Sequence, residues 1–215
     1  MKRFLSQVIE RKENGLYFCR FPTGFGKSYN VREVIKDLLK SKDDRRKIIY
    51  LTPLKKNLPK ELQESDDVLI LRSNLDQVTD ILPSLDVPES FKSESYMKVM
   101  RLVGKLKASK DNNAIDNDYK HNVEKELMES ESAFRRELRA HLNKTFPNKR
   151  ARMNAVITDK QYKWIGELYP AVFTENKRAI IMTMKKFLGK NSVIIDRSYD
   201  FITSELTEGA IIFID

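Results

Sequence analysis

The residues best suited to chemistry form one glycine-rich segment, Pro22-Thr23-Gly24-Phe25-Gly26-Lys27-Ser28. Its two glycines allow backbone angles that a side chain would forbid, so several backbone N–H groups can point at one anion. The Lys27 ammonium can reach the β- and γ-phosphates of a nucleotide, and the Ser28 hydroxyl can ligate Mg²⁺. These residue types therefore predict a phosphate-binding loop, whereas the competing interpretation is a chance glycine-rich turn.

The segments on either side favour the phosphate-binding loop. Before it, the apolar run Leu16–Cys19 predicts a strand over Leu16–Arg20, and after it, apolar residues recur at helical spacing to about Ser41. A strand, a glycine-rich turn and a helix in that order are the layout of such a loop. One position departs from the strict pattern, because Phe21 stands where that pattern has Gly or Ala.

The rest of the chain alternates between predicted strands and predicted helices at both ends. A helix is predicted over 2–12, short helices within 54–64 and at 184–188, and further strands at 47–51, 68–71, 179–183 and near the chain end. This alternation predicts an α/β fold with a parallel sheet flanked by helices.

The middle of the chain follows a different pattern. No convincing strand lies between residues 73 and 150, and two apolar stripes at helical spacing are separated by a loop-like stretch at Ser109–Asn113. We predict an α-helical insertion over 73–152 that divides the α/β domain into 1–72 and 153–215. The basic residues at its end are interpreted either as nucleic-acid contacts or as a solvated helix end: Lys149, Arg150 and Arg152.

The last residues carry a second functional pattern. Four apolar residues, Ile211 to Ile214, precede Asp215, and a buried parallel strand reads as such a continuous apolar run. A carboxylate at the carboxyl end of a central strand faces the loop-bound phosphates and can hold Mg²⁺. Asp215 and Ser28 are therefore the predicted magnesium ligands.

Taken in order, these motifs resemble the first domain of superfamily 2 helicases and translocases of the DEAD/DEAH type. The loop at 22–28, the segment Leu51–Leu58, the strand 180–183 and the run 211–215 occur in the family's order. The resemblance implies a RecA-like P-loop domain in which ATP hydrolysis drives movement along, or separation of, DNA or RNA strands. It also implies catalytic roles for Lys27 and Asp215, and nucleic-acid backbone contacts by Thr52, Pro53, Lys55, Lys56 and Thr183.

Two features depart from that family. The chain stops at Asp215, where the family continues with a catalytic Glu and a second RecA-like domain, so we expect a fragment of a longer enzyme that hydrolyses ATP poorly by itself. The family also carries an upstream Gln that reads adenine. Gln7 either serves this role or is an exposed helix residue. Restriction translocase subunits and CRISPR-associated helicases carry similar loops, so the pathway stays open.

Composition sets broader limits. The 215-residue chain has 40 Lys and Arg against 31 Asp and Glu, and this net charge of +9 suits either a nucleic-acid partner or a solvated surface. A single cysteine, Cys19, predicts no disulfide framework and a cytoplasmic location, and no run approaches a membrane span of about 20 apolar residues. The rival functional hypothesis is a nucleotide-dependent switch that regulates a protein partner through the helical insertion.

Overall fold

The computed structural model describes residues 1–18, 20, 22, 24–111 and 116–215. The chain forms two compact units. The sheet unit consists of Met1–Leu71, Phe173–Asn191 and Tyr199–Asp215, and the helical unit consists of Arg72–Val172 and Ser192–Ser198. Residues 153–172, which the sequence assigned to the α/β domain, therefore group with the helices.

The sheet unit contains a four-stranded sheet in which every neighbouring pair is parallel. The spatial order is β2-β3-β1-β6, and a separate two-stranded antiparallel ladder joins β4 to β5. The strand bounds are β1 Ile48–Thr52, β2 Val68–Leu71, β3 Ala179–Thr183, β4 Lys190–Asn191, β5 Tyr199–Asp200 and β6 Ile211–Ile214. The apolar runs thus correctly predicted the four strands of the parallel sheet, as buried parallel strands require.

Of the α-helices in the described ranges, three belong to the sheet unit: α1 Lys2–Glu10, α2 Lys27–Lys40 and α8 Met184–Leu188. Helix α2 presents Val31, Val34 and Ile35, which recur at helical spacing, to the sheet. They share one buried cluster with Ile48 and Tyr50 of β1. The helix predicted after the glycine-rich segment is therefore confirmed, and it begins at Lys27.

The strand predicted at Leu16–Arg20 is wrong for the residues that the structure describes. Residues 16–18 and 20 have no regular secondary structure, and Leu16 and Phe18 are 74% and 79% exposed. A strand exists only where a neighbour pairs with its backbone, and the sheet forms without this segment. Cys19, Phe21 and Thr23 lie outside the described residues.

Two other predictions change in the sheet unit. The short helix expected within 54–64 is two 3₁₀ segments, Lys55–Asn57 and Lys60–Leu62, because Pro59 between them has no N–H to continue a helix. The strand β6 was expected at the centre of the sheet, but it lies at the edge. Ile212 and Ile214 are accordingly 40% and 64% exposed.

The helical unit contains the five remaining α-helices: α3 Asn74–Asp80, α4 Glu94–Asp111, α5 Asn117–Thr145, α6 Lys149–Thr158 and α7 Lys163–Leu168. The two predicted apolar stripes are buried almost throughout and lie on α4 and α5. Contacts of Ser95 with Glu137 and of Lys98 with Glu126 show that these helices run antiparallel. The predicted loop at Ser109–Asn113 is wrong at its start, since α4 continues to Asp111.

A short turn separates α6 from α7. Thr158 ends α6, and Asp159 belongs to the turn that precedes the start of α7 at Lys163. Trp164 is buried and packs against Phe91 and Phe134, with ring centroids 5.5 and 6.3 Å away. Among the described residues, no helix has the length and apolar character to cross a membrane.

Candidate functional site

The two predicted magnesium ligands lie in direct contact, although 187 positions separate them in sequence. Ser28 Oγ donates a hydrogen bond of 2.6 Å to Asp215 Oδ2. Ser28 is the second residue of α2, and Asp215 directly follows β6. The structure therefore places these two side chains side by side, and their role as magnesium ligands stays a prediction.

The parallel sheet explains why Asp215 reaches this position. In the register of β1 and β6, Leu51 lies beside Ile214. The Asp215 N–H then donates to the Leu51 carbonyl at 3.0 Å, so the backbone pairing continues one residue past the strand. Because parallel strands place their carboxyl ends at one edge, the Asp215 side chain emerges there, beside the start of α2.

The glycine-rich segment leads into α2 through two left-handed residues. Gly24 has φ +83° and Gly26 has φ +67°, angles that residues with a Cβ rarely adopt. A hydrogen bond of 3.3 Å from Phe25 N to the Pro22 carbonyl closes the turn, and Gly26 is the N-cap of α2. The first amides of a helix have no partner within that helix, so this end of α2 suits an anion.

Sequence reasoning missed Tyr50, which also contacts Asp215. The Tyr50 hydroxyl donates to Asp215 Oδ2 at 3.0 Å, and the ring is almost fully buried in β1. Burial, followed by the nearby Asp215 carboxylate, raises the pKa of the phenol well above its ordinary value. A signal was present in the sequence, because a tyrosine within the apolar run Ile48–Leu51 needs a partner for its hydroxyl.

An open cavity of about 540 Å³ adjoins this contact. Ser28 and Asp215 form part of its lining, together with Arg32, Lys56 and Glu61. An ion pair of 3.1 Å joins Arg32 to Glu61 across the cavity wall. Basic and acidic side chains therefore both line the cavity at the carboxyl ends of the strands.

The predicted nucleic-acid contacts Thr52, Pro53, Lys55, Lys56 and Thr183 lie together at that same end of the sheet. Thr52 and Thr183 are partners in the β1–β3 register, so the segments that follow them begin side by side. We call the segments 52–56 and 183–186 the carboxyl edge. Both hydroxyls serve local turns, since Thr52 donates to the Leu54 carbonyl and Thr183 caps α8. The Lys55 and Lys56 side chains are exposed.

The other predicted nucleic-acid contacts, Lys149, Arg150 and Arg152, belong to the helical unit. Lys149 pairs with Asp196 at 2.9 Å, and Arg152 Nε donates to the Ile195 carbonyl at 2.9 Å. These two residues therefore hold a turn of their own unit, whereas Arg150 is exposed. Of the remaining predicted residues, Gln7 is exposed on α1, and Thr23 lies outside the described part of the chain.

The contact between Ser28 and Asp215 fits a nucleotide-bound magnesium ion better than a protein-only metal site. In the part of the chain that the structure describes, no group of three or more His, Cys, Asp or Glu side chains could hold a metal. Mg²⁺ usually takes one or two carboxylates and completes its coordination with water and phosphate oxygens. One carboxylate and one hydroxyl beside a helix N-terminus match that requirement.

Comparison with known proteins adds no second line of argument. No protein-family model matches the chain, and no curated protein matches it either. The functional argument therefore depends on the residues of the site and their geometry.

Proposed function

We propose that this protein is the ATP-binding domain of a nucleic-acid-dependent ATPase, a helicase or translocase acting on DNA or RNA. The observation that carries the proposal is the 2.6 Å hydrogen bond between Ser28 and Asp215. Two motifs from opposite ends of the chain meet at the start of α2 and the end of β6, where a P-loop protein holds its nucleotide phosphates and Mg²⁺.

The ATP site uses the residues of the glycine-rich segment in distinct roles. Backbone N–H groups between Thr23 and Lys27 and the N-terminus of α2 bind the phosphates, and Lys27 neutralises their charge. Ser28 and Asp215 hold Mg²⁺, which neutralises charge on the β- and γ-phosphate oxygens when bound. Gln7 is the candidate for reading adenine.

The nucleic-acid site lies on the carboxyl edge. Lys55 and Lys56 follow β1, while Lys185 and Lys186 follow its neighbour β3, so four cations are carried by adjacent segments. Contacts of this kind bind phosphate groups without reading sequence, and their strength falls as salt rises. A polynucleotide strand along this edge fits the proposed activity.

ATP binding is the first test, and it uses two lysines of the same helix. We expect the wild-type protein to bind a fluorescent ATP analogue in the presence of Mg²⁺. Lys27→Ala should weaken that binding by more than tenfold, because a charge-assisted phosphate contact contributes about 1.5–3 kcal/mol. Lys40→Ala, at the other end of α2, should leave it unchanged. Absence of ATP binding, or equal losses in both variants, would contradict the nucleotide site.

Polynucleotide binding tests the remainder of the proposal. We expect labelled single-stranded DNA or RNA to bind, and its affinity to fall linearly with salt on logarithmic axes. If ATP binds but neither polynucleotide does, the motor assignment fails while the nucleotide site survives. The protein would then match the rival hypothesis of a nucleotide-dependent switch.

A further inference from the structure

Tyr50 connects the hydrophobic core of the sheet unit to the Asp215 carboxylate. All five residues of β1 are buried, and Tyr50 itself is 1% exposed. Its ring belongs to the cluster that α1 and α2 form against the sheet, with Val31, Val34 and Ile48 among its members. The ring is therefore held by packing, while its hydroxyl reaches the strand ends.

The direction of the Tyr50 hydrogen bond is fixed by chemistry. A carboxylate oxygen can only accept, and a phenol is protonated at neutral pH, so Tyr50 donates to Asp215. The Ser28 hydroxyl donates to the same oxygen, Oδ2. Because both bonds converge on Oδ2, they leave the other carboxylate oxygen for a cation or a water molecule bound to it.

The position of Asp215 in the fold does little to restrict its side chain, which is held by the hydroxyls of Ser28 and Tyr50. The residue follows the edge strand β6 and is exposed. An exposed carboxylate samples several rotamers, and ordering it costs conformational entropy. A donor fixed in the core lowers that cost, because the carboxylate is already turned toward the start of α2 before a ligand arrives.

We propose that Tyr50 is a positioning residue that orients Asp215 toward a nucleotide-bound Mg²⁺. The inference rests on the proposed ATP site and adds a residue to it that the loop and strand motifs do not contain. Groups that hydrogen-bond a metal-binding carboxylate commonly change metal affinity by about 10–100-fold. This role predicts that loss of the hydroxyl raises the magnesium requirement, which is the Mg²⁺ concentration for half-maximal nucleotide binding. Binding of magnesium-free nucleotide should not change.

Tyr50→Phe tests this role because it removes only the hydroxyl and keeps the buried ring. With a fluorescent ATP analogue, we expect the Mg²⁺ concentration for half-maximal binding to rise about tenfold. Affinity measured in EDTA should stay within about twofold of wild type, since Lys27 and the loop backbone are unchanged. Tyr199→Phe is the matched control, because its hydroxyl contacts Thr174 and Asn191 in the same unit. It should not change the magnesium requirement.

A double-mutant cycle separates positioning from a general structural effect. In an Asp215→Asn background, Tyr50→Phe should change the magnesium requirement by less than about twofold, because the carboxylate that it orients is absent. Three results would each overturn the inference. The effects of the two substitutions on the magnesium requirement could be additive, Tyr50→Phe alone could leave that requirement unchanged, or Tyr50→Phe could weaken binding of the ATP analogue equally with and without Mg²⁺. If the wild type binds no ATP, the proposed function fails and this inference fails with it.

Discussion

In the sheet unit the hydroxyls of Ser28 and Tyr50 converge on one carboxylate, whereas in the helical unit guanidinium groups converge on one turn. Arg139 Nη2 donates to the carbonyls of Val193, at 2.6 Å, and of Asp196, and Arg152 donates to that of Ile195. We call Arg139, Arg152 and this turn the arginine clamp. In the first arrangement, Ser28 and Asp215 line a cavity that a ligand could enter. In the second, the guanidinium groups hydrogen-bond backbone carbonyls of the same unit.

Basic residues in a predicted insertion need not contact a ligand. Lys149 and Arg152 were candidates for nucleic acid because they are basic, yet both contact the turn at 195–196. Lys47 and Arg178 have similar fastening roles in the sheet unit, where each donates to several backbone carbonyls. A cation's function follows from its partners rather than from its charge.

The largest expected effect concerns the arginine clamp. Arg139→Ala should lower the free energy of unfolding by about 3 kcal/mol, because it leaves two carbonyls without their charged donor. Urea denaturation followed by circular dichroism measures this loss. Arg136→Ala, an exposed position on the same helix, should cost less than about 0.5 kcal/mol. Equal costs for the two variants would remove the structural role that we assign to the clamp.

The next effect concerns the proposed magnesium ligand of the sheet unit. Ser28→Ala should raise the Mg²⁺ concentration needed for ATP binding by roughly tenfold, since a ligand and a donor to Asp215 are lost together. Ser28→Thr keeps the hydroxyl and should restore binding to within a few-fold of wild type. A magnesium titration with a fluorescent ATP analogue gives both values. Wild-type behaviour of the alanine variant would contradict the site.

An effect of similar size distinguishes the two basic regions directly. The double variant Lys55→Ala/Lys56→Ala should weaken polynucleotide binding by roughly tenfold at low salt and reduce the slope of log affinity against log salt by about two. The matched pair Lys149→Ala/Arg150→Ala should change neither quantity appreciably. Fluorescence anisotropy over a salt series measures both. If only the Lys149→Ala/Arg150→Ala variant bound polynucleotide more weakly, the nucleic-acid contact would lie on the helical unit instead.

The smallest effect is a pH dependence in the sheet unit. Hydrogen bonds from the Arg46 side chain hold the pKa of Asp44 below its ordinary value, so the folded state favours the charged carboxylate. This stabilisation, about 1 kcal/mol, is present above pH 4 and disappears as the pH falls through the lowered pKa. Asp44→Asn should therefore be less stable than wild type at pH 7, and the difference should narrow toward pH 3. A constant difference would show that the carboxylate charge is not the cause.

The parts of the fold that the sequence predicted correctly are those set by local pattern. Helix α2 follows from apolar residues at helical spacing, and β1, β2 and β3 follow from continuous apolar runs. The strand at Leu16–Arg20 was predicted by the same criterion and is wrong for the described residues. The difference lies in pairing, because an apolar run becomes a strand only where another strand supplies its hydrogen bonds.

For the candidate site, residue type alone identifies the candidates for binding phosphate and magnesium, since Gly, Lys, Ser and Asp carry that chemistry in their own atoms. The contact of Tyr50 with Asp215, and that of Arg152 with the Ile195 carbonyl, are visible only in the tertiary structure. Both contacts join residues far apart in the chain, 165 and 43 positions respectively. Packing and strand register bring such residues together, and a local pattern contains neither.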